Sequence, residues 1–306
     1  MKQKEISQKT RKNIFITLFL LPTMICFCVF YLYPILTVFL SSFQKWDYTN
    51  LNQPEFYSPG HLLDNYNYIF PQYPYFSEAL RNSCIWALCG LVIQVPIAVL
   101  VALALSKHRR GWKIARNVYI IPSIISSAAM GLIFLQLYNP KYGVINQIIR
   151  LFNSDFAENI LIMPKVNFIA LTCAYIFFAG TIMIMILGQI SAIPTEIYEA
   201  AVLDRAIGWR RDIYITLPLI KDTLKTVSIL AATSGFLLYN EVFFLTNGAA
   251  GTRSISFIIR ELAVVSPRAQ YARANAVGTI QIIGGALIIL VINFIFRERK
   301  EKGGNV

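Results

Sequence analysis

IPTEIYEAAVLDRAIGWRRDIYITLPLI, residues 193–220, packs glutamate, aspartate and arginine between two stretches that carry almost no charge. Whether this is a surface helix of a soluble protein or an exposed loop between buried spans decides the fold. The surrounding chain settles the choice. Of its 306 residues, 56% are hydrophobic and only 14% charged, a balance that leaves the soluble globular range for the membrane class.

Working outward from the charged stretch, six segments are long and apolar enough to cross a hydrocarbon core that takes about 20 helical residues. They are residues 14–40, 84–105, 118–137, 166–190, 224–245 and 274–296. The fifth holds Lys225 at one end and Glu241 near the other, where long or polar side chains reach the interface. An even number of spans puts both termini on one side, and basic residues identify it. Lys2, Lys4, Lys9, Arg11 and Lys12 precede the first span, and Lys107, Arg109, Arg110, Lys113 and Arg116 join the second to the third. Arg205, Arg210, Arg211, Lys221 and Lys225 join the fourth to the fifth, and Arg297, Arg299, Lys300 and Lys302 close the chain. Both termini and the opening stretch are therefore expected in the cytoplasm. The domain reading is a cytoplasmic segment 1–13, a membrane domain 14–296 with its loop at 193–220, and a cytoplasmic tail 297–306.

Several function classes drop out. The net charge of +12 reads as topology, since no loop combines the arginine and aromatic density of a nucleic-acid surface. The basic residues before the first apolar run imitate a signal peptide, but the run is too long and lacks a small-residue cleavage site, so an uncleaved span is expected. Cys26, Cys28, Cys84, Cys89 and Cys173 all fall in proposed spans and imply no disulfide framework, and His61 and His108 are too few for a metal centre. The span middles hold no ionisable group of the kind a proton-coupled carrier uses. No GxxxxGK[ST] loop is present for nucleotide phosphates. No cofactor is expected on this chain, and if ATP drives transport, Mg-ATP sits on another one.

Outside the membrane, Ile145, Ile148, Ile149 and Phe152 recur at helical spacing, as do Ile255, Ile258, Ile259 and Leu262. Both segments predict short helices at the outer interface. Pro22, Pro34, Pro96 and Pro122 and the pair Gly284-Gly285 predict kinks or close helix approach inside the spans.

In the opening stretch, Pro194 and Thr195 form a start signal, with Thr195 as the cap and Glu196 in the first turn. The helix then presents Ile197, Ala200 and Ala201 on one side, a small surface that lets another protein come close. Gly208 allows a bend, and a second short helix over 209–216 is expected to end at Leu217-Pro218. The alternative, a basic helix lying on the inner leaflet, has no use for Glu199, Asp204 and a fixed Leu-Pro terminus.

Glu199-Ala200-Ala201, three residues, Arg205, nine residues and Ile215-Thr216-Leu217-Pro218 resemble the EAA loop of membrane subunits of binding-protein-dependent ABC importers. The family spacing is matched throughout, with Arg205 in place of the usual glycine and Asp204 as in the carbohydrate-type permeases. Residues 20–43, 119–146 and 244–254 are similar to further segments of that family, with Ala249 and Ala250 replacing a Gly-Pro. The resemblance implies an all-α, six-span subunit of type I importer architecture in a bacterial cytoplasmic membrane. It also implies a second homologous permease, two copies of a cytoplasmic ATPase, an extracytoplasmic solute-binding protein and a sugar substrate. Glu199, Ala200, Ala201, Asp204, Arg205, Gly208, Leu217 and Pro218 would then couple the chain to the ATPase.

A sugar presents hydroxyl edges and apolar faces, so its path needs hydrogen-bonding groups beside aromatic ones. Tyr175, Phe178 and Thr181 lie at mid-depth in the fourth span, and Ala231, Ser234, Gly235 and Leu238 trace a stripe along the fifth. The resemblance points to the same two spans. Asn240 and Glu241 are candidates for an outer gate or a loop anchor, with Glu241 facing water, Arg253 or a partner chain. Import of a glycerol-phosphate ester by the same architecture is the first alternative. An enzyme acting on lipid-linked sugars is the second, and it would need carboxylates or a basic nucleophile grouped at one membrane face.

Overall fold

The computed structural model describes residues 8–152, 156 and 158–297. Lys2, Lys4, Arg299, Lys300 and Lys302, and with them parts of the segments 1–13 and 297–306, lie outside the described residues. The chain is mostly helical, and its one sheet among the described residues is a two-stranded outer ribbon pairing Gln44–Lys45 with Glu55–Phe56.

Four helices, Arg11–Ser41, Phe76–Leu105, Val166–Ser191 and Tyr271–Ile295, are long and apolar enough to cross a membrane. The third expected span is not one helix. Trp112–Ile124 and Ser127–Leu137 meet at 103°. Pro122 offers no N–H to the turn before it, Ile125 and Ser126 turn extended, and the Ser126 hydroxyl accepts the Ala129 N–H at 3.3 Å to start the second limb. The fifth is also broken. Lys221–Phe236 stops, residues 237–239 leave the helix, and a wide turn over Val242–Thr246 follows.

Three of the prolines inside helices are accommodated by local widening, whereas Pro22 lies within a regular helical stretch. Ahead of Pro34, Pro96 and Pro218, the preceding residue donates its N–H five residues back, from Tyr33 to Cys28, Val95 to Gly90 and Leu217 to Asp212. Each wide turn encloses the carbonyl that the proline ring would otherwise strike.

The bundle is organised around span two. Its N-terminal half packs on Lys221–Phe236 and its C-terminal half on the C-terminal half of span four, while span six covers span five and meets the C-terminal end of span one. Trp86 is fully buried, stacks on Phe168 at 4.8 Å and donates Nε1–H to Thr172 Oγ1 at 3.0 Å. Span one is exposed until Ser41 and Ser42, where Asn275 of span six donates to Ser41 Oγ at 2.7 Å. Both outer helices form. Ile255, Ile258 and Leu262 are buried as expected, but of the four residues expected to form one face of Val144–Phe152 only Ile145 and Ile149 pack inward, and Ile148 and Phe152 face out.

Candidate functional site

The charged loop folds into two short helical limbs. Thr195–Leu203 forms the first, with Pro194 rather than Thr195 at the cap position and no side-chain cap. Thr195 is already the first helical residue, so the expected cap is corrected. The second limb starts at Trp209 and does not stop at Leu217-Pro218, because the wide turn over Asp212–Thr216 lets the helix run through to Leu219.

The bend between the limbs uses two residues. Gly208 sits at φ 63°, ψ −130°, a region open in practice only to glycine, and Arg205 takes φ 57° without that freedom. Arg205→Gly is therefore expected to stabilise the folded chain by about 1 kcal/mol, read as a higher thermal unfolding midpoint. A lower midpoint would mean that the arginine side chain holds the loop.

Glu199, Ala200, Asp204, Arg205, Gly208 and Pro218 are exposed, and Leu217 is half-buried. Ala201 is the exception to the expected open face. It is 3% exposed, and its carbonyl accepts the Ala206 N–H at 2.8 Å, closing the end of the first limb. Besides its charged side chains the loop presents large apolar ones: Leu203 is 85% exposed, and Ile207 and Trp209 are exposed too. None of these three was singled out from the sequence.

Asp212 was also missed. It is buried and holds the loop to the end of span two, with Oδ2 2.9 Å from Lys107 Nζ and Oδ1 3.2 Å from Arg211. Arg211 also stacks over Tyr198 of the first limb at 4.8 Å. Removing one partner of a buried ion pair strands the other charge, so this contact ties the loop to three helices rather than two.

Above the loop, at the level where spans four and five are both interrupted, lies a cavity of about 470 Å³. Span four kinks at Phe178, whose ψ is 21°, and span five breaks at 237–239. Irregular backbone at membrane depth is tolerated where it lines a cavity, because water or a ligand satisfies the freed groups. Tyr175, Phe178, Thr181, Ser234, Leu238, Asn240 and Glu241 all line it. Ala231 and Gly235 do not. Ala231 is fully buried with its carbonyl accepting the Tyr175 hydroxyl at 2.7 Å, and Gly235 lies against the backbone of Trp86. The stripe expected along span five is thus split, its small residues serving helix contact and Ser234 and Leu238 the cavity.

Gln94, Ser127 and Tyr239 complete the polar part of the wall. Gln94 donates Nε2–H to the Tyr175 carbonyl at 3.2 Å, while its Oε1 is buried without a donor among the described residues. A lone glutamine in an apolar span was the available signal. Glu241 does not meet Arg253, which binds Glu261 at 3.2 Å and stacks over Tyr75 at 3.8 Å. Tyr73 joins that outer cluster through Glu261, with burial and then the neighbouring carboxylate pushing its phenol above the ordinary range.

No family model matches the chain. It is 31% identical over 296 residues to the probable ABC transporter permease protein YurN of Bacillus subtilis, covering 93% of this chain and 97% of that one. It is 27% identical to the lactose transport system permease protein LacF of Rhizobium radiobacter, over 92% and 94% of the two chains. With the diacetylchitobiose uptake system permease protein NgcF of Streptomyces coelicolor it shares 26% over 79% and 71%. In fold it is similar to a chain of a bacterial ABC transporter that imports the acidic polysaccharide alginate, with TM-score 0.78, 22% identity and coverage of 96% and 99%. A chain of an alginate transporter in complex with an alginate pentasaccharide-bound periplasmic protein aligns with TM-score 0.77 at 21% identity, over 96% and 98%.

Proposed function

We propose that this chain, which belongs to the carbohydrate-type permeases of ABC importers, forms one half of a pathway for a neutral sugar or short oligosaccharide. The observation that carries this reading is that the helices lining the cavity, spans two, four and five, also carry the loop that presents Leu203, Ile207 and Trp209. Closure of an ATPase on that loop would move those helices and change access to the cavity. The second permease would supply the facing wall, the ATPase pair the Mg-ATP chemistry, and an extracytoplasmic binding protein the sugar. Six crossings with both termini cytoplasmic, in a bacterial cytoplasmic membrane, complete the reading, with each interrupted helix pair counted as one span.

The wall chemistry favours a neutral sugar over a phosphate ester or an acidic polysaccharide. Phe178 and Tyr239 offer aromatic faces, Gln94, Ser127, Thr181 and Asn240 offer hydrogen bonds, and the one ionisable carboxyl group is Glu241 with no lysine or arginine beside it in the wall. An anion would be desolvated there without a counter-charge. The enzyme alternative fares worse, since the relatives are transporter permeases.

The test is uptake of labelled sugars into proteoliposomes holding the complete importer. Thr181→Trp, which fills the cavity from an exposed position, is expected to lower uptake at least tenfold while the ATPase still co-purifies. Normal uptake in that variant would remove the cavity from the pathway.

A further inference from the structure

A second cavity, of about 420 Å³, lies at the coupling-loop end of the bundle. Lys107 and His108 reach its wall from the end of span two, Thr195 and Tyr198 from the first limb of the loop, and Arg211 from the second. Among the described residues, none lining it carries a carboxylate. Asp212 sits outside the wall and divides one negative charge between Lys107, at 2.9 Å, and Arg211, at 3.2 Å. Two cations against one carboxylate leave positive charge facing the cavity.

Two further features point at a ligand. Arg211 Nε is buried and meets no acceptor among the described residues, a donor left unused on a group that rarely goes unpaired. The nine-residue helix Thr195–Leu203 starts at the same cavity with no side-chain cap. The Ile197 N–H is taken by the Pro194 carbonyl at 3.3 Å and Glu196 stands exposed in the first turn, so the helix start offers the N–H groups of Thr195 and Glu196. A guanidinium fork, an ammonium, a ring nitrogen and an uncapped helix start together form the donor set that a phosphate group accepts.

We propose that this cavity binds a phosphate ester, held by Arg211, Lys107, His108 and the first turn of the coupling helix. The bound anion bridges the loop after span two to the coupling loop and restrains their relative movement. Its effect on transport rests on the coupling role proposed above, whereas the binding does not. Two sources share the chemistry: the headgroup of an anionic phospholipid, which the expected inner-leaflet position favours, and a soluble phosphate ester.

The full chain in phosphatidylcholine nanodiscs is titrated with inorganic phosphate at constant ionic strength, and separately prepared with rising fractions of phosphatidylglycerol, while thermal unfolding is followed. A saturating rise in the unfolding midpoint is expected in at least one arm. Response to free phosphate assigns a soluble ester, and response to phosphatidylglycerol alone assigns a lipid headgroup. Arg211→Gln is expected to weaken the apparent affinity at least tenfold, and His108→Gln, which spares the Asp212 contacts, about threefold should Arg211→Gln fail to fold. Lys113→Gln removes a nearby cation outside the cavity and should respond as the unaltered chain does. No rise in either arm, an unchanged response in the folded cavity variants, or an equal loss in Lys113→Gln overturns the site.

Discussion

Gly235→Ala is expected to cost about 3 kcal/mol, enough to lower the thermal unfolding midpoint sharply and reduce the amount of folded protein recovered from membranes. A β-carbon on Gly235 would lie 2.4 Å from the Trp86 carbonyl oxygen and 2.9 Å from the Ala87 nitrogen. Those atoms are backbone, and they belong to a helix pinned by the Trp86–Thr172 hydrogen bond and the Phe168 stack. With no flexible side chain to swing aside, the two helices must separate, which puts the substitution at the upper end of overpacking costs of roughly 1–3 kcal/mol. Gly285→Ala is the control. Nothing lies within 4 Å of a β-carbon there, and alanine favours a helix interior, so its midpoint should hold or rise slightly. Equal midpoints for the unaltered chain and Gly235→Ala would show that span five does not press on span two as described.

The second large effect is expected at the charged loop between spans four and five, which is proposed above to meet the ATPase. Leu203→Arg places a charge at the tip of the exposed apolar surface, and Glu199→Lys reverses charge one turn away. Neither side chain is buried, so insertion and unfolding midpoint should stay near those of the unaltered chain. A residue that acts as a hot spot at a partner surface is worth about 2 kcal/mol or more, about thirtyfold in affinity, and Leu203 is assigned that role here. Co-purification of the ATPase and sugar uptake should therefore both fall more than tenfold in Leu203→Arg. ATPase recovery and uptake at normal levels in both variants would remove the loop from the ATPase contact.

Much of the site could be read along the chain because its information is local. Pro218 and the EAA spacing mark the loop, and Gly208 marks its bend, since the residue types themselves restrict the backbone. The cavity was legible in part. Tyr175, Phe178 and Thr181 were found because polar and aromatic groups at mid-depth stand out in an apolar span, and Ser234 and Leu238 because they share a helical stripe along span five. Gln94 met the same criterion and was passed over because span two does not adjoin the loop in sequence.

Hydrophobic periodicity and basic-residue placement, which depend only on burial in lipid and on a chain's own spacing, determined that this is a multi-pass helical membrane protein with a charged loop between its fourth and fifth apolar segments. Tertiary structure alone decided which small residues are pressed into helix contacts and which border open space. Ala231 and Gly235 fall in one class and Ser234 in the other although they share a stripe, because a helix face has no fixed meaning until a neighbour arrives. The Asp212–Lys107 contact is of the same kind: it joins residues more than a hundred positions apart, and only the packing of span two beside the charged loop brings those charges within 2.9 Å.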